Sequence, residues 1–290
     1  MLVKKRSYSI SNGTLFGIAG GAFGVLTIAL MIQSSFSEKT VPGCEMRYAN
    51  AIGFALERSS GDLLDAGALQ SKLYGDDWGL FDNLSIGRDE ASDNRATMQV
   101  GFRPGGELKF KKRTATSGVG FTWRPDQLTA AKGACLKYSI WLPADFDFGD
   151  GGVLPGLFGQ DDTSPDATKF SVQMRWLKSG KIAVQPASPE LRRDRFLVVD
   201  EDWLKMPRGQ WVNIEQEVLL NTPDASNGHL RVWVDGRLGL DRRNVQLRTD
   251  EVVRFEGVMA DTHYANKAME WMPAPAETEI KISPLVVRWK

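Results

Sequence analysis

The chain has 290 residues, 42% of them hydrophobic and 25% charged, which suits one large globular domain or two small ones. Its 36 basic and 36 acidic side chains cancel, so there is no overall cationic field and no nucleic-acid partner is expected, although a local basic groove stays open. There is no P-loop, no dinucleotide fingerprint and no zinc-like spacing of His, Cys and carboxylates, so neither a cofactor nor a metal is expected.

Residues 1–12 form a basic segment, with Lys4, Lys5 and Arg6 ahead of an uncharged run over 7–37 that is apolar over 15–36. About 20 apolar residues cross a bilayer as a helix. The basic flank places the N-terminus in the cytoplasm. We expect a single-pass anchor at 13–37 in the inner (cytoplasmic) membrane, with the rest of the chain periplasmic or extracytoplasmic. A cleaved signal peptide is the rival reading, and Gln33, Ser34, Ser35, Phe36 and Ser37 make a poor cleavage site.

Residues 38–75 read as a helical neck. Ala49, Ile52, Phe54, Ala55 and Leu56, then Leu63, Leu64, Leu69 and Leu73, are loosely amphipathic over 45–74. Such a helix would pack on a sheet or against a partner protein. Cys44 and Cys135 are the only cysteines. In an oxidising compartment they pair; otherwise they are two thiols, and the sequence gives no distance between them.

From residue 76 to 290 the pattern is β. Alternating runs at 97–102, 118–123, 137–142, 169–176, 182–185, 196–199, 211–220, 229–234, 245–247, 252–258 and 279–288 are separated by turn residues. The expected fold class is all-β, a jelly-roll or β-sandwich of two antiparallel sheets. In 136–159, Tyr138, Ile140 and Leu142 alternate with Lys137, Ser139 and Trp141, and Pro143 ends the strand. An acidic, aromatic corner follows with Asp145, Phe146, Asp147, Phe148 and Asp150. The run Gly151-Gly152-Val153-Leu154-Pro155-Gly156-Leu157 then returns the chain to the core.

That stretch resembles the signature of the family 14 polysaccharide lyases, alginate-lyase-like jelly-rolls: a strand with Tyr, a Phe-Asp-Phe corner, then Gly-Gly-Lys-Leu-Pro-Gly-Leu. Here Val153 replaces the lysine. Trp211 after Arg208-Gly209-Gln210, Leu220-Asn221-Thr222-Pro223, Asn227-Gly228 and Val232-Trp233-Val234-Asp235-Gly236 extend the likeness over 96–290. Those residues are also turn formers and a hairpin turn in their own right.

The resemblance implies a basic and hydroxyl set on one sheet face: that lysine, a Ser-x-Arg pair and a Tyr-x-Tyr pair. The serine corresponds to Ser171, but the arginine corresponds to Gln173, and Ala183 and Gln185 stand near the tyrosine positions. Ser171, Gln173 and Arg175 alternate and share a face, so Arg175 could supply the missing cation one pleat along. The bland alternative is a solvated strand residue. Tyr264 is the remaining candidate for proton transfer, beside His263. Trp141 and Lys137, on one strand face, with His263 and Gln185, are the candidate sugar contacts. Asp145, Asp147, Asp150, Asp161 and Asp162 match no calcium loop and read as a solvated acidic loop.

Three functions follow from these features. The first is a membrane-anchored module that binds an acidic, uronate-containing polysaccharide with little or no catalysis. The second is an active β-eliminating lyase with a relocated set. The third is a non-catalytic structural or assembly protein of the cell envelope.

Overall fold

Leu136, Tyr138 and Ile140 are buried while the residues between them are partly exposed, the pattern of a strand covered on one face. Repeated along the chain, that pattern builds two stacked sheets. The computed structural model describes residues 41–73, 77–90, 94–105, 108–109, 114–115, 117–161, 169–188, 197–199 and 205–290. Among these residues there are three short helices, α1 (Cys44–Arg47), α2 (Ala66–Gln70) and α3 (Leu80–Asn83).

In chain order the strands are β1 (Asn50–Gly53), β2 (Leu84–Asp89), β3 (Arg95–Phe102), β4 (Leu108–Lys109), β5 (Thr114–Ala115) and β6 (Thr122–Trp123). They continue with β7 (Gly133–Trp141), β8 (Gly151–Gln160), β9 (Phe170–Leu177), β10 (Ile182–Ala187), β11 (Leu197–Val198) and β12 (Trp211–Leu219). The last are β13 (Gly228–Val234), β14 (Arg237–Val245), β15 (Arg254–Met259), β16 (His263–Tyr264), β17 (Thr278–Ile282) and β18 (Val286–Trp289).

The first sheet runs β14-β13-β12-β7-β17-β3-β2, with β18 bridging β7 and β1. The second runs β11-β10-β9-β8-β15-β6, with β16 on β8. Their facing side chains form one core, with Leu136, Tyr138, Ile140, Val212 and Ile214 from the first sheet and Leu154, Leu157, Val172, Met174 and Trp176 from the second.

The stretch 136–159 carries the chain from β7 in one sheet to β8 in the other. Two glycines permit the crossing. A Cβ on Gly152 would lie 1.9 Å from the Trp176 ring, and one on Gly156 would lie 2.0 Å from the Val172 carbonyl oxygen. Phe146 stacks on Tyr264 and meets Trp176 edge-on, and the Trp176 indole donates to the Phe148 carbonyl at 3.1 Å. The Tyr138 hydroxyl reaches across the core to the Pro155 carbonyl at 3.2 Å.

The helix expected over 45–74 is corrected. Only α1 and α2 are helical there, and the chain between them runs as β1 against β18. Phe54, Leu56 and Leu64 enter the sandwich core from outside any helix, and Leu69 enters it from the short α2, because Gly53 and Gly61 break any longer periodicity. Ser283 and Pro284 divide the expected strand 279–288 into β17 and β18. Of the strand expected at 245–247 only Val245 is in a strand, as the last residue of β14, and 246–247 are not. The anchor predicted at 13–37 lies outside the described residues. Among those described, no helix is long and apolar enough to cross a membrane.

Cys44 and Cys135 form a disulfide with their Cα atoms 6.1 Å apart, closing a loop of 91 residues. It fixes the chain before β1 to the middle of the first sheet. Around it Glu215 accepts from the Cys44 amide at 2.7 Å, and buried Glu217 accepts from the Arg47 side chain at 2.8 Å and from the Tyr48 hydroxyl at 2.7 Å. Burial alone would raise the Glu217 pKa, but these bonds and that from Arg231 outweigh it and hold the carboxyl below its ordinary value. A cross-link over a loop of this length restricts the unfolded chain by about 4 kcal/mol. Replacing both cysteines by alanine should lower unfolding free energy by about that amount in a urea titration, with the β circular-dichroism signature intact.

Candidate functional site

On β9 the side chains of Val172, Met174 and Trp176 enter the core, while Gln173 and Arg175 point to the other side of the second sheet. Strand register assembles a row there. His263 on β16 pairs with Val153 on β8, Val153 with Arg175 on β9, and Arg175 with Ala183 on β10. Gln173 pairs with Gln185 one pleat away. The position of the expected lysine, Val153, therefore stands between an imidazole and a guanidinium.

Arg175 is almost wholly buried, 1% exposed, and its donors are fully used. Nε donates to the Gly152 carbonyl at 3.2 Å. Nη1 donates to Gln185 Oε1 at 2.6 Å and to Met269 sulfur at 3.1 Å. Nη2 donates to the carbonyls of Ala265 at 3.1 Å and Asn266 at 2.8 Å. A guanidinium has five N–H groups, and all five are occupied. No carboxylate pairs with it among the described residues. Burial lowers its pKa to about 10, so it stays charged at neutral pH. Arg175 thus ties the loop after β16 to three strands of the second sheet.

The other polar groups on this face are amides and two titrating side chains. Gln173 Nε2 lies 3.4 Å from Asp261 Oδ2. Burial raises the Asp261 pKa to about 6 against the opposing contact from Gln173, although part of the residue reaches solvent. Burial lowers the His263 pKa to about 4, its bond to the Tyr264 carbonyl opposes this, and the charge of Arg175 adds to it. His263 is therefore a neutral imidazole above pH 5, with Nδ1 placed 2.9 Å from the Tyr264 carbonyl oxygen and its ring edge-on to Trp78. A carboxyl that ionises near pH 6 and a neutral imidazole, two residues apart on one face, can exchange a proton with a bound hydroxylated ligand.

The structure brings Gln173, Arg175, Gln185 and His263 together, with Ser171 partly exposed at the start of β9. It separates three other candidates from them. Tyr264 turns into the core, where its ring packs on Phe146 and Phe102 and its hydroxyl donates to the Asp147 carbonyl at 2.6 Å. Successive residues of a strand face opposite ways, so a His263 in the row forces Tyr264 away from it. Lys137 and Trp141 lie on the outer face of the first sheet, across the sandwich. There Lys137 pairs with Glu215 at 3.4 Å, and the Lys281 ammonium sits 5.0 Å above the Trp141 ring. Asp261 is the residue the sequence reading missed. It follows β15 in a loop, and only the pairing of β16 with β8 brings it to the row.

The conserved-looking turn blocks are scaffold. Asn221 accepts from the amides of Leu247 and Arg248 and donates to the carbonyls of Thr222 and Arg248. Asp235 and Gly236, both with positive φ, turn the β13–β14 hairpin. Asp150 and Asp161 of the acidic loops pair with Lys178 and Lys169.

Residues 90–281 match the family model of polysaccharide lyase 14. Among solved structures, an alginate lyase of the marine mollusc Aplysia kurodai superposes with a TM-score of 0.62 at 19% identity, covering 84% of this chain and 99% of that one. An alginate lyase of a Chlorella virus gives 0.58 at 15% identity, covering 71% and 89%. The alginate lyase Aly36B, as a double mutant with alginate trisaccharide, gives 0.57 at 14% identity, covering 86% and 99%. No curated protein sequence matches the chain.

Two outcomes follow from this geometry. Arg175→Ala should cost about 3 kcal/mol in urea unfolding, because it strands five acceptors, three of them in buried contacts, while Ser171→Ala should stay within about 0.5 kcal/mol. Asp261 and His263 shift in opposite senses, so their linkage terms oppose each other. The raised Asp261 pKa removes stability as pH rises from about 4 through 6, and the lowered His263 pKa removes stability as pH falls from 6.5 through about 4. Compared with the unaltered chain, melting temperature from pH 4 to 6.5 should tilt upward with pH in Asp261→Asn and downward in His263→Gln.

Proposed function

The chain belongs to the polysaccharide lyase 14 family, and on that footing we propose that it binds an acidic, uronate-containing polysaccharide along the outer face of the second sheet with little or no cleavage. The domain is held at the outer side of the inner membrane by residues 13–37. β-Elimination from a uronate removes the proton α to a carboxylate and needs a cation or donors to take the charge that develops. The observation that carries the reading is the state of Arg175. It is the one cation in the row, it lies beside Val153, and each of its N–H groups already has a protein acceptor. It has nothing left to offer a carboxylate, and valine has neither charge nor donor.

Gln173, Gln185 and His263 carry amide and imidazole groups of the kind that hydrogen-bond sugar hydroxyls, and they lie buried under this face, 3%, 2% and 8% exposed. The likeness to alginate lyases, one of them with alginate trisaccharide bound, supports a polyuronate as the occupant. A second reading, a residual lyase, is favoured by the pairing of a carboxyl titrating near pH 6 with a neutral imidazole.

The test uses the full-length chain in detergent micelles with alginate, polyglucuronate and a neutral glucan. Calorimetry should record binding to the uronate polymers and not to the glucan. Ultraviolet absorbance should show no growth of the unsaturated uronate that elimination produces. Sustained absorbance growth that Asp261→Asn abolishes would establish the second reading in place of the first.

A further inference from the structure

A polyuronate carries one carboxylate on every sugar, yet the row of side chains on the second sheet has no cation with a donor to spare. Cations with donors to spare occur just beyond it. Where β9 turns into β10, a cavity of about 430 Å³ is lined by Phe148, Lys178, Ser179, Lys205, Met206 and Arg208. Lys178 lies three residues past Arg175, which is about 10 Å along an extended strand.

The fold holds this cavity in shape. Gly180 has φ +76°, and a Cβ there would lie 2.7 Å from the Phe148 ring, so the turn closes directly on that ring. The Met206 amide donates to the Gly180 carbonyl at 2.7 Å, and Lys205 bridges to Lys181. These bonds bring the segment carrying Lys205 and Arg208 against the turn carrying Lys178 and Ser179. The Arg208 guanidinium carbon lies over the Phe148 ring, 4.6 Å from its centre, a cation–π contact that holds the cation at the cavity. Among the described residues neither Arg208 nor Lys205 forms a side-chain hydrogen bond or an ion pair. Lys178 pairs only with Asp150, at 3.1 Å, and both are largely exposed, so that pair is weak and exchangeable.

The geometry points to a carboxylate subsite in this cavity: Arg208, Lys205 and Lys178 take the carboxylate of one uronate residue. Charge recognition would then sit at the β9–β10 turn and not at the Val153 position. This rests on the proposed polyuronate binding. It adds a prediction that binding alone does not make, namely which cations discriminate the acid from its neutral counterpart.

The experiment compares alginate oligosaccharides with the same oligosaccharides reduced at the carboxyl to neutral sugars. Calorimetry is run on the full-length chain, on Lys205→Ala/Arg208→Gln, and on Arg242→Ala, an exposed cation of β14 on the other sheet. Glutamine keeps a stem over the Phe148 ring, and an unchanged melting temperature checks that the fold survives. The unaltered chain should prefer the acidic oligosaccharide. The double variant should lose about tenfold in affinity for it, about 1.4 kcal/mol, and little for the neutral one. Arg242→Ala should match the unaltered chain. If the unaltered chain binds neither oligosaccharide, the polyuronate reading fails and the subsite with it. If it binds with the acid preference and the double variant keeps both affinity and preference, the subsite alone is overturned.

Discussion

The site depends on how a buried guanidinium is satisfied. Taking a cation out of water costs several kcal/mol unless its donors are met. Here the acceptors are carbonyls from β8 and from the loop after β16, together with the amide of Gln185 and the sulfur of Met269. The same bonds that make burial of Arg175 tolerable hold that loop against the sheet. They also place His263 beside an uncompensated positive charge, which helps keep its imidazole neutral. One side chain therefore orders this face and at the same time is withdrawn from any ligand.

This bears on what separates a polysaccharide-binding face from a polysaccharide-cleaving one. Both need a long open sheet face lined with hydrogen-bonding groups. Cleavage further needs charge placed where charge develops, and with donors to spare. The second sheet has the hydrogen-bonding groups, Gln173, Gln185 and His263, all of them buried. Its row of His263, Val153, Arg175 and Ala183 contains a formal charge but no donor that is unengaged. The two titrating groups on the face, Asp261 and His263, are tuned by burial in opposite directions, and that local asymmetry is where any remaining proton chemistry would reside.

Much of the scaffold was legible in the sequence. The alternation in β7 and the block from Gly151 to Leu157 were readable because period-2 burial and steric demand for glycine are local properties. Asn221 and the Asp235-Gly236 turn were readable for the same reason. β14 was largely missed because it is an edge strand carrying Arg237, Arg242 and Arg243, and an exposed edge has little need of an apolar stripe. The amphipathic spacing of 45–74 suggested a helix, yet Phe54, Leu56 and Leu64 reach the core from loop and Leu69 from the short α2. The shared face of Ser171, Gln173 and Arg175 followed from alternation alone. That Arg175 would spend all its donors, or that Asp261 would join the row, depends on β16 pairing with β8 more than a hundred residues away, and spacing along one strand carries no trace of that. Trp141 and Lys137 share a face, as their alternation indicated, but alternation does not tell which of two sheets the strand joins.

The disulfide has a mechanical meaning. It grips β7, an interior strand of the first sheet, whereas the polar row lies on the far side of the sandwich. A polymer seated there and dragged sideways would send its pull through both layers to Cys135 and Cys44. From there the load passes to the backbone at Pro42 without peeling the four-residue ladder of β1 on β18. The covalent link is therefore a strain relief, like the clamp on a cable where it meets its housing.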